Sequence, residues 1–225
     1  LWPFFVRFHA RFAQKFAVIN DADGFVNVRN EAKVGNNVSH KLNNNHLVFY
    51  FEDNAKGNWQ YITYKINNEE AFGYVYKNRL AAVSNFLELP VFKEGKNEII
   101  FKNKNLELQI KVKPFAKNNS KITYLKNTKI VEKINSEKAW GTDGDLPKTQ
   151  YDFIKLKCNN KHYVLPNKAF ENLYEPNLEF TKVYVDAKTN SVFLEATNSD
   201  GAGGYTFIIV IQNGVYKESL VLHPF

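Results

Sequence analysis

Cysteine occurs once in the 225 residues, at Cys158, and methionine not at all. A single cysteine rules out an intrachain disulfide and a thiolate metal cluster, so the fold must hold by packing alone. It suits the cytosol, and it equally suits periplasmic proteins that are stable without bridges. Lacking methionine even at position 1, the chain reads as processed, trimmed or engineered. Arginine is scarce, four residues against twenty-six lysines. Together with abundant asparagine, that bias points to an AT-rich bacterial genome rather than to a function. No stretch approaches the ~20 apolar residues of a membrane-spanning helix, so no transmembrane segment is expected. The net charge of +7 would suit nucleic acid, but it is spread evenly. Up to Val83 there are ten basic and seven acidic residues, and beyond it twenty and sixteen, giving +3 and +4. With no basic stripe to track a phosphate backbone, the lysines read as a solvated surface and nucleic acid is not expected as a partner.

What is present is aromatic and β-forming. Phe and Tyr supply most of a 15% aromatic share, and both favour pleated, half-buried surfaces. The length suits two small domains. Residues 1–16 read as a leader or an artefactual segment. Phe12-Ala13-Gln14 has the look of a signal-peptidase junction, although Arg7 and Arg11 interrupt any signal core. Alternatively, Phe4, Phe8 and Phe12 fall on one face of an amphipathic helix.

Residues 17–83 read as a first domain of five short strands. Phe16–Ile19 is apolar. Asn20–Gly24 is a turn cluster in which Gly24 can take positive φ and the aspartates can bond their own backbone. Phe25–Arg29 alternates, Leu47–Phe51 reads as buried, and Trp59–Tyr64 and Phe72–Tyr76 complete the set. The segments Asp21 to Arg29 (Asp-Ala-Asp-Gly-Phe-Val-Asn-Val-Arg), Gly57-Asn58-Trp59 and Gly73-Tyr74-Val75 resemble the bacterial SH3-type domain at its start, middle and end. The resemblance covers about 65 residues and implies a small β-barrel that binds a ligand. It departs from the family in the insertion around Asn67–Ala71 and in Asn30-Glu31-Ala32, which replaces the usual Gly-Pro. A groove there would take Trp59, Tyr61, Tyr74 and Phe25 as aromatic walls, and Arg29 or Asp23 as polar contacts. Such walls suit glycan rings or extended peptides. Trp59 and Phe25 are also readable as core, Phe25 more so.

Residues 84–225 read as a second, β-rich domain, an antiparallel sandwich or flattened barrel. Leu106–Val112 alternates cleanly, Thr206–Ile211 is a long apolar run, and further strands are expected at Glu98–Phe101, Lys129–Ile134, Asp152–Lys157, Lys182–Val185 and Val192–Ala196. One short helix is expected over Asn167–Leu173, between Pro166 and Pro176. The loops Trp140-Gly141-Thr142-Asp143-Gly144-Asp145-Leu146-Pro147 and Asn198-Ser199-Asp200-Gly201-Ala202-Gly203-Gly204-Tyr205 resemble those of bacterial proteins of unassigned function, some with an SH3-type domain in front. Asp143, Asp145, Asn198 and Asp200 offer oxygens that Ca²⁺ would accept, yet neither loop has EF-hand spacing, so no metal or cofactor is expected. The same residues can serve as turn formers. Trp140, Asp143, Asp145, Asn198, Asp200 and Tyr205 join Trp59, Tyr61, Tyr74 and Arg29 as candidate ligand-binding residues.

Catalytic patterns are absent. No HExxH, nucleophile elbow or phosphate loop occurs, and Cys158 with His162 is too loose for a catalytic pair. The expectation is a non-catalytic bacterial binding protein of the cell envelope, periplasmic or secreted, that recognises a cell-wall glycan, peptide or protein. The alternatives are an immunity or inhibitor protein for a secreted toxin, or an envelope hydrolase using Asp143 and Asp200.

Overall fold

A computed structural model describes residues 14–67, 69–159 and 161–223. Of the segment 1–16 read as a leader or artefact, residues 1–13 lie outside them, and residues 14–16 open the first strand. The chain divides into two compact units, one ending at Asn85 and the other starting at Phe86.

Among the described residues the first unit has eight strands: β1 (Gln14–Ile19), β2 (Phe25–Arg29), β3 (Val38–Asn43), β4 (Leu47–Phe51), β5 (Ala55–Lys56), β6 (Trp59–Ile66), β7 (Glu69–Tyr76) and β8 (Leu80–Ala82). They form one antiparallel sheet in the order β3-β2-β7-β6-β4-β1-β8, with β5 paired to β6. Its core gathers Ala17, Ile19, Val26, Val28, Leu42, Val48, Ile62, Tyr64 and Val75 from six different strands. One sheet that supplies both walls of its own core must coil. The His40–Tyr64 contact shows the coiling directly. β3 and β6 stand three strand spacings apart, about 14 Å on a flat sheet, yet His40 Nδ1 and the Tyr64 hydroxyl are 2.8 Å apart. The five strands expected from sequence are all present. β3 was not anticipated, because in Val-Ser-His-Lys-Leu-Asn only Leu42 is buried.

The turn before β2 is built as its residues dictate. Gly24 has φ +81°, Asp21 Oδ1 accepts from the Asp23 amide at 2.8 Å, and the Asp21 carboxylate pairs with Arg79 at 2.9 Å. Gly73 is required by close approach, since a Cβ there would collide with the Val28 side chain and the Arg29 carbonyl.

Among the described residues the second unit has thirteen strands: β9 (Leu87–Glu88), β10 (Val91–Gly95), β11 (Glu98–Lys102), β12 (Leu106–Pro114), β13 (Ile122–Tyr124), β14 (Val131–Ile134), β15 (Glu137–Lys138), β16 (Thr149–Cys158), β17 (Lys161–Val164), β18 (Thr181–Asp186), β19 (Ser191–Asn198), β20 (Tyr205–Gln212) and β21 (Val215–Leu222). Two five-stranded sheets, β10-β11-β12-β16-β17 and β21-β20-β19-β18-β9, and a small β13-β14-β15 sheet result. Every pairing between these strands is antiparallel. Leu108, Ile110 and Ile154 from one large sheet and Leu194, Phe207 and Ile209 from the other share a single core, so the two sheets stack as a sandwich. The helix expected over Asn167–Leu173 is instead a three-residue 3-10 turn, Asn167–Ala169. Ala169, Phe170 and Leu173 are drawn into the sandwich core. Nine residues between two prolines are also too few to offset the cost of helix nucleation.

Candidate functional site

In the first unit, the pairing of β6 with β7 sets Trp59 opposite Tyr76, Tyr61 opposite Tyr74 and Thr63 opposite Phe72. Side chains alternate across a strand, so these residues share the face turned away from Ile62, Tyr64 and Val75. Five rings therefore line one hairpin face. Tyr76 stacks on Trp59 at 4.0 Å and 24°. Tyr61 runs parallel to Phe72 at 6.3 Å and 7° and tilts against Tyr74 at 4.9 Å. Phe72 is 48% exposed and Tyr76 38%, whereas Trp59, at 8%, lies beneath. The edges are cationic. The Arg29 guanidinium sits 6.0 Å from the Trp59 ring centre and is held in place by bonds donated to the Gly35 carbonyl and Asn37 Oδ1. Lys56 lies 5.3 Å from the Tyr74 ring centre, and its bond with the Tyr74 hydroxyl holds the ammonium above the ordinary lysine range. Phe25, half-buried on the same side as Arg29, carries Lys41 Nζ 3.4 Å over its ring. A cleft of about 370 Å³ lined by Asn58, Tyr76, Lys77, Asn78 and Arg79 opens beside Tyr76.

The structure thus brings together Trp59, Tyr61, Tyr74 and Arg29. Phe72, Tyr76 and Lys56 join them without having been anticipated. The signal for the two rings was there to read, because Phe72, Tyr74 and Tyr76 alternate along β7.

In the second unit the two glycine-rich loops converge on one cleft of about 410 Å³, lined by Asp143, Asp145, Asp200, Glu175, Asn177 and Ser199 among others. The connections are specific. Ser199 Oγ donates to the Gly141 carbonyl at 2.9 Å, and the Ser199 amide donates to the Glu175 carbonyl at 3.1 Å. The Glu175 carboxylate accepts from the Lys148 amide and, at 3.0 Å, from Thr149 Oγ1. Gly141, at φ +95°, lies so close to the Tyr174 carbonyl that no Cβ fits.

Asn198 stands behind the cleft with no exposure. Its Nδ2 donates to the Tyr151 and Tyr205 hydroxyls at 2.9 Å each, and its Oδ1 accepts from the Asn177 amide at 2.8 Å. Tyr205, also fully buried, donates to the Tyr174 carbonyl at 2.8 Å. Burial raises the Tyr205 phenol well above its ordinary value. Asn198 and Tyr205 therefore tie the second loop from within to Tyr151 and to the 174–177 segment. Trp140, half-buried, is covered by Lys138 Nζ at 3.7 Å and by the His223 ring at 4.6 Å. Asp143, Asp145 and Asp200 are exposed at the cleft. Their carboxylates have no bonded partner among the described residues. No group of three His, Cys, Asp or Glu side chains close enough to hold a metal occurs among the described residues. Among those residues, too, no helix is long and apolar enough to cross a membrane. No protein-family model, no curated protein and no solved structure matches the chain.

Proposed function

We propose that the protein is a non-catalytic binding protein of the bacterial cell envelope, periplasmic or secreted, whose first unit recognises a cell-wall glycan. The observation that carries this reading is the hairpin face of five aromatic rings flanked by cations. Flat rings in a row take the apolar faces of sugars, and their exposure at Phe72 and Tyr76 leaves room for a ligand. Arg29, Lys41 and Lys56 suit the carboxylates that peptidoglycan carries. The likeness of Asp21–Arg29 and Gly73–Val75 to bacterial SH3-type domains agrees with this reading.

Co-sedimentation of the whole chain with purified peptidoglycan sacculi tests it. Retention is expected for the native chain, and its loss for Phe72→Ser with Tyr76→Ser, both exposed positions. Equal retention of the double variant would overturn the assignment to this face.

A hydrolase has one observation in its favour, the presence of Asp143 and Asp200 at one cleft. Both are exposed, whereas a glycosidase acid is typically shielded from water. Unchanged release of reducing sugar from sacculi by Asp143→Asn with Asp200→Asn, relative to the native chain and to buffer, would remove it.

A further inference from the structure

The small β13-β14-β15 sheet carries an apolar groove that the glycan-binding reading does not use. Its hairpin tip, tied by the Leu125 amide to the Ile130 carbonyl at 2.8 Å, leaves Tyr124 44%, Leu125 47% and Ile130 49% exposed. Beside Tyr124 lies a groove of about 480 Å³ walled by Tyr124, Thr128, Lys129, Val131, Asp145 and Leu146. Contiguous exposed apolar side chains of this kind mark interaction surfaces.

The groove and the carboxylate cleft are one surface, because Asp145 and Leu146 line both. They are also one body. The Val131 amide donates to the Gly144 carbonyl at 2.8 Å, and Leu146 packs against the Val131, Ile134 and Tyr174 cluster. On the cleft side the Glu175 carboxylate is occupied by the Lys148–Thr149 backbone and hydroxyl. The unpartnered carboxylates of Asp143, Asp145 and Asp200 remain, faced by Lys148 in the cleft and Lys129 in the groove.

We propose that this combined surface binds a peptide segment of a protein partner in which lysine or arginine is followed by aliphatic or aromatic side chains. The apolar side chains fill the groove beside Tyr124 and Ile130, and the basic ones reach the three free carboxylates. Such complementary charge steers encounter and fixes the direction of the segment, while the apolar contact supplies affinity. The proposal goes beyond the glycan reading and stands on a different unit, so sacculus binding and peptide binding fail independently.

The test is a ¹H–¹⁵N NMR titration of the whole chain with three synthetic peptides. These are acetyl-Lys-Arg-Gly-Leu-Phe-amide, its charge-reversed form with Glu-Glu, and a form with Ser-Ser for Leu-Phe. The first is expected to shift amides of residues 124–131, 142–148 and 199–200, with both altered peptides weaker by about fivefold or more. Asp143→Asn with Asp200→Asn is expected to weaken binding about tenfold and to flatten its salt dependence. Ile130→Ser, at an exposed position, should weaken it without altering the remaining spectrum. Equal shifts from all three peptides, or none up to about 5 mM, a free energy near −3 kcal/mol, would overturn the proposal. Shifts of the same amides by CaCl₂ or by raising the protein concentration, with no peptide effect, would overturn it in favour of a cation or a second copy of the chain.

Discussion

Replacing Asn198 by alanine removes a buried side chain that ties the second glycine-rich loop to Tyr151 and to the segment holding Glu175 and Asn177. Three hydrogen bonds go, to the Tyr151 and Tyr205 hydroxyls and from the Asn177 amide. Tyr205 keeps its bond to the Tyr174 carbonyl. The Tyr151 hydroxyl, fully buried, loses its donor, and the half-buried Asn177 amide is freed. Stranding a buried polar group costs about 1–3 kcal/mol and each lost bond about 1 kcal/mol, so a net loss of about 2–4 kcal/mol is expected, the exposed end of the segment recovering part. At roughly 3 °C per kcal/mol for a unit of this size, the calorimetric transition of the second unit falls by about 6–12 °C. Amide exchange at residues 177 and 199 should quicken by a larger factor than exchange in β12. A transition within about 1 °C of the native one would refute the reasoning, because a solvated asparagine that holds nothing costs that little.

Gly141→Ala forces a Cβ at φ +95° into the Tyr174 carbonyl, so thermal unfolding should fall by an amount comparable to Asn198→Ala, and retention of the native midpoint would contradict the close approach. Asp21→Asn removes the charge that pairs with Arg79, while its remaining Oδ1 can still accept the Asp23 amide. A urea titration should register a loss of about 0.5–1 kcal/mol in the first unit. At high pH the buried phenols matter. Burial pushes Tyr174 up to about 12 and raises Tyr151 and Tyr205 as well, while an unfolded tyrosine ionises near pH 10. The folded chain keeps protons that the unfolded chain loses, so this stability is complete below about pH 10 and disappears as the pH rises through about 12. Urea midpoints for the second unit should therefore fall between pH 9.5 and 11.5 (approximate limits of that window), and constant midpoints would show that the phenols titrate freely.

The strands that alternate or run apolar were legible in the sequence. Phe25–Arg29, Leu47–Phe51, Leu106–Val112 and Thr206–Ile211 all lie within strands of the fold. β3 was hidden, because an edge strand with a single buried leucine carries no periodicity to detect. The Asn167–Leu173 segment misled, since its spacing of Ala169, Phe170 and Leu173 suits a helix as well as a loop plugged into the core. For the aromatic face, the residue types were visible and their register was not; it takes the β6–β7 pairing to set the rings side by side. The cleft was half legible. Its carboxylates stood out in glycine-rich loops, yet their meeting depends on Ser199 reaching Gly141, 58 residues away. Glu175 gave no local sign that its carboxylate would be used up by Lys148 and Thr149.

The most direct measurement is a ¹H–¹⁵N NMR titration of the whole chain with soluble muramidase-released peptidoglycan fragments. Amides of β6 and β7 at Tyr61, Phe72, Tyr74 and Tyr76 should shift together with that of Arg29, and the Phe72→Ser, Tyr76→Ser chain should not respond. Shifts confined to other strands, or an undisturbed spectrum at saturating fragment, would contradict recognition of the wall by the aromatic face.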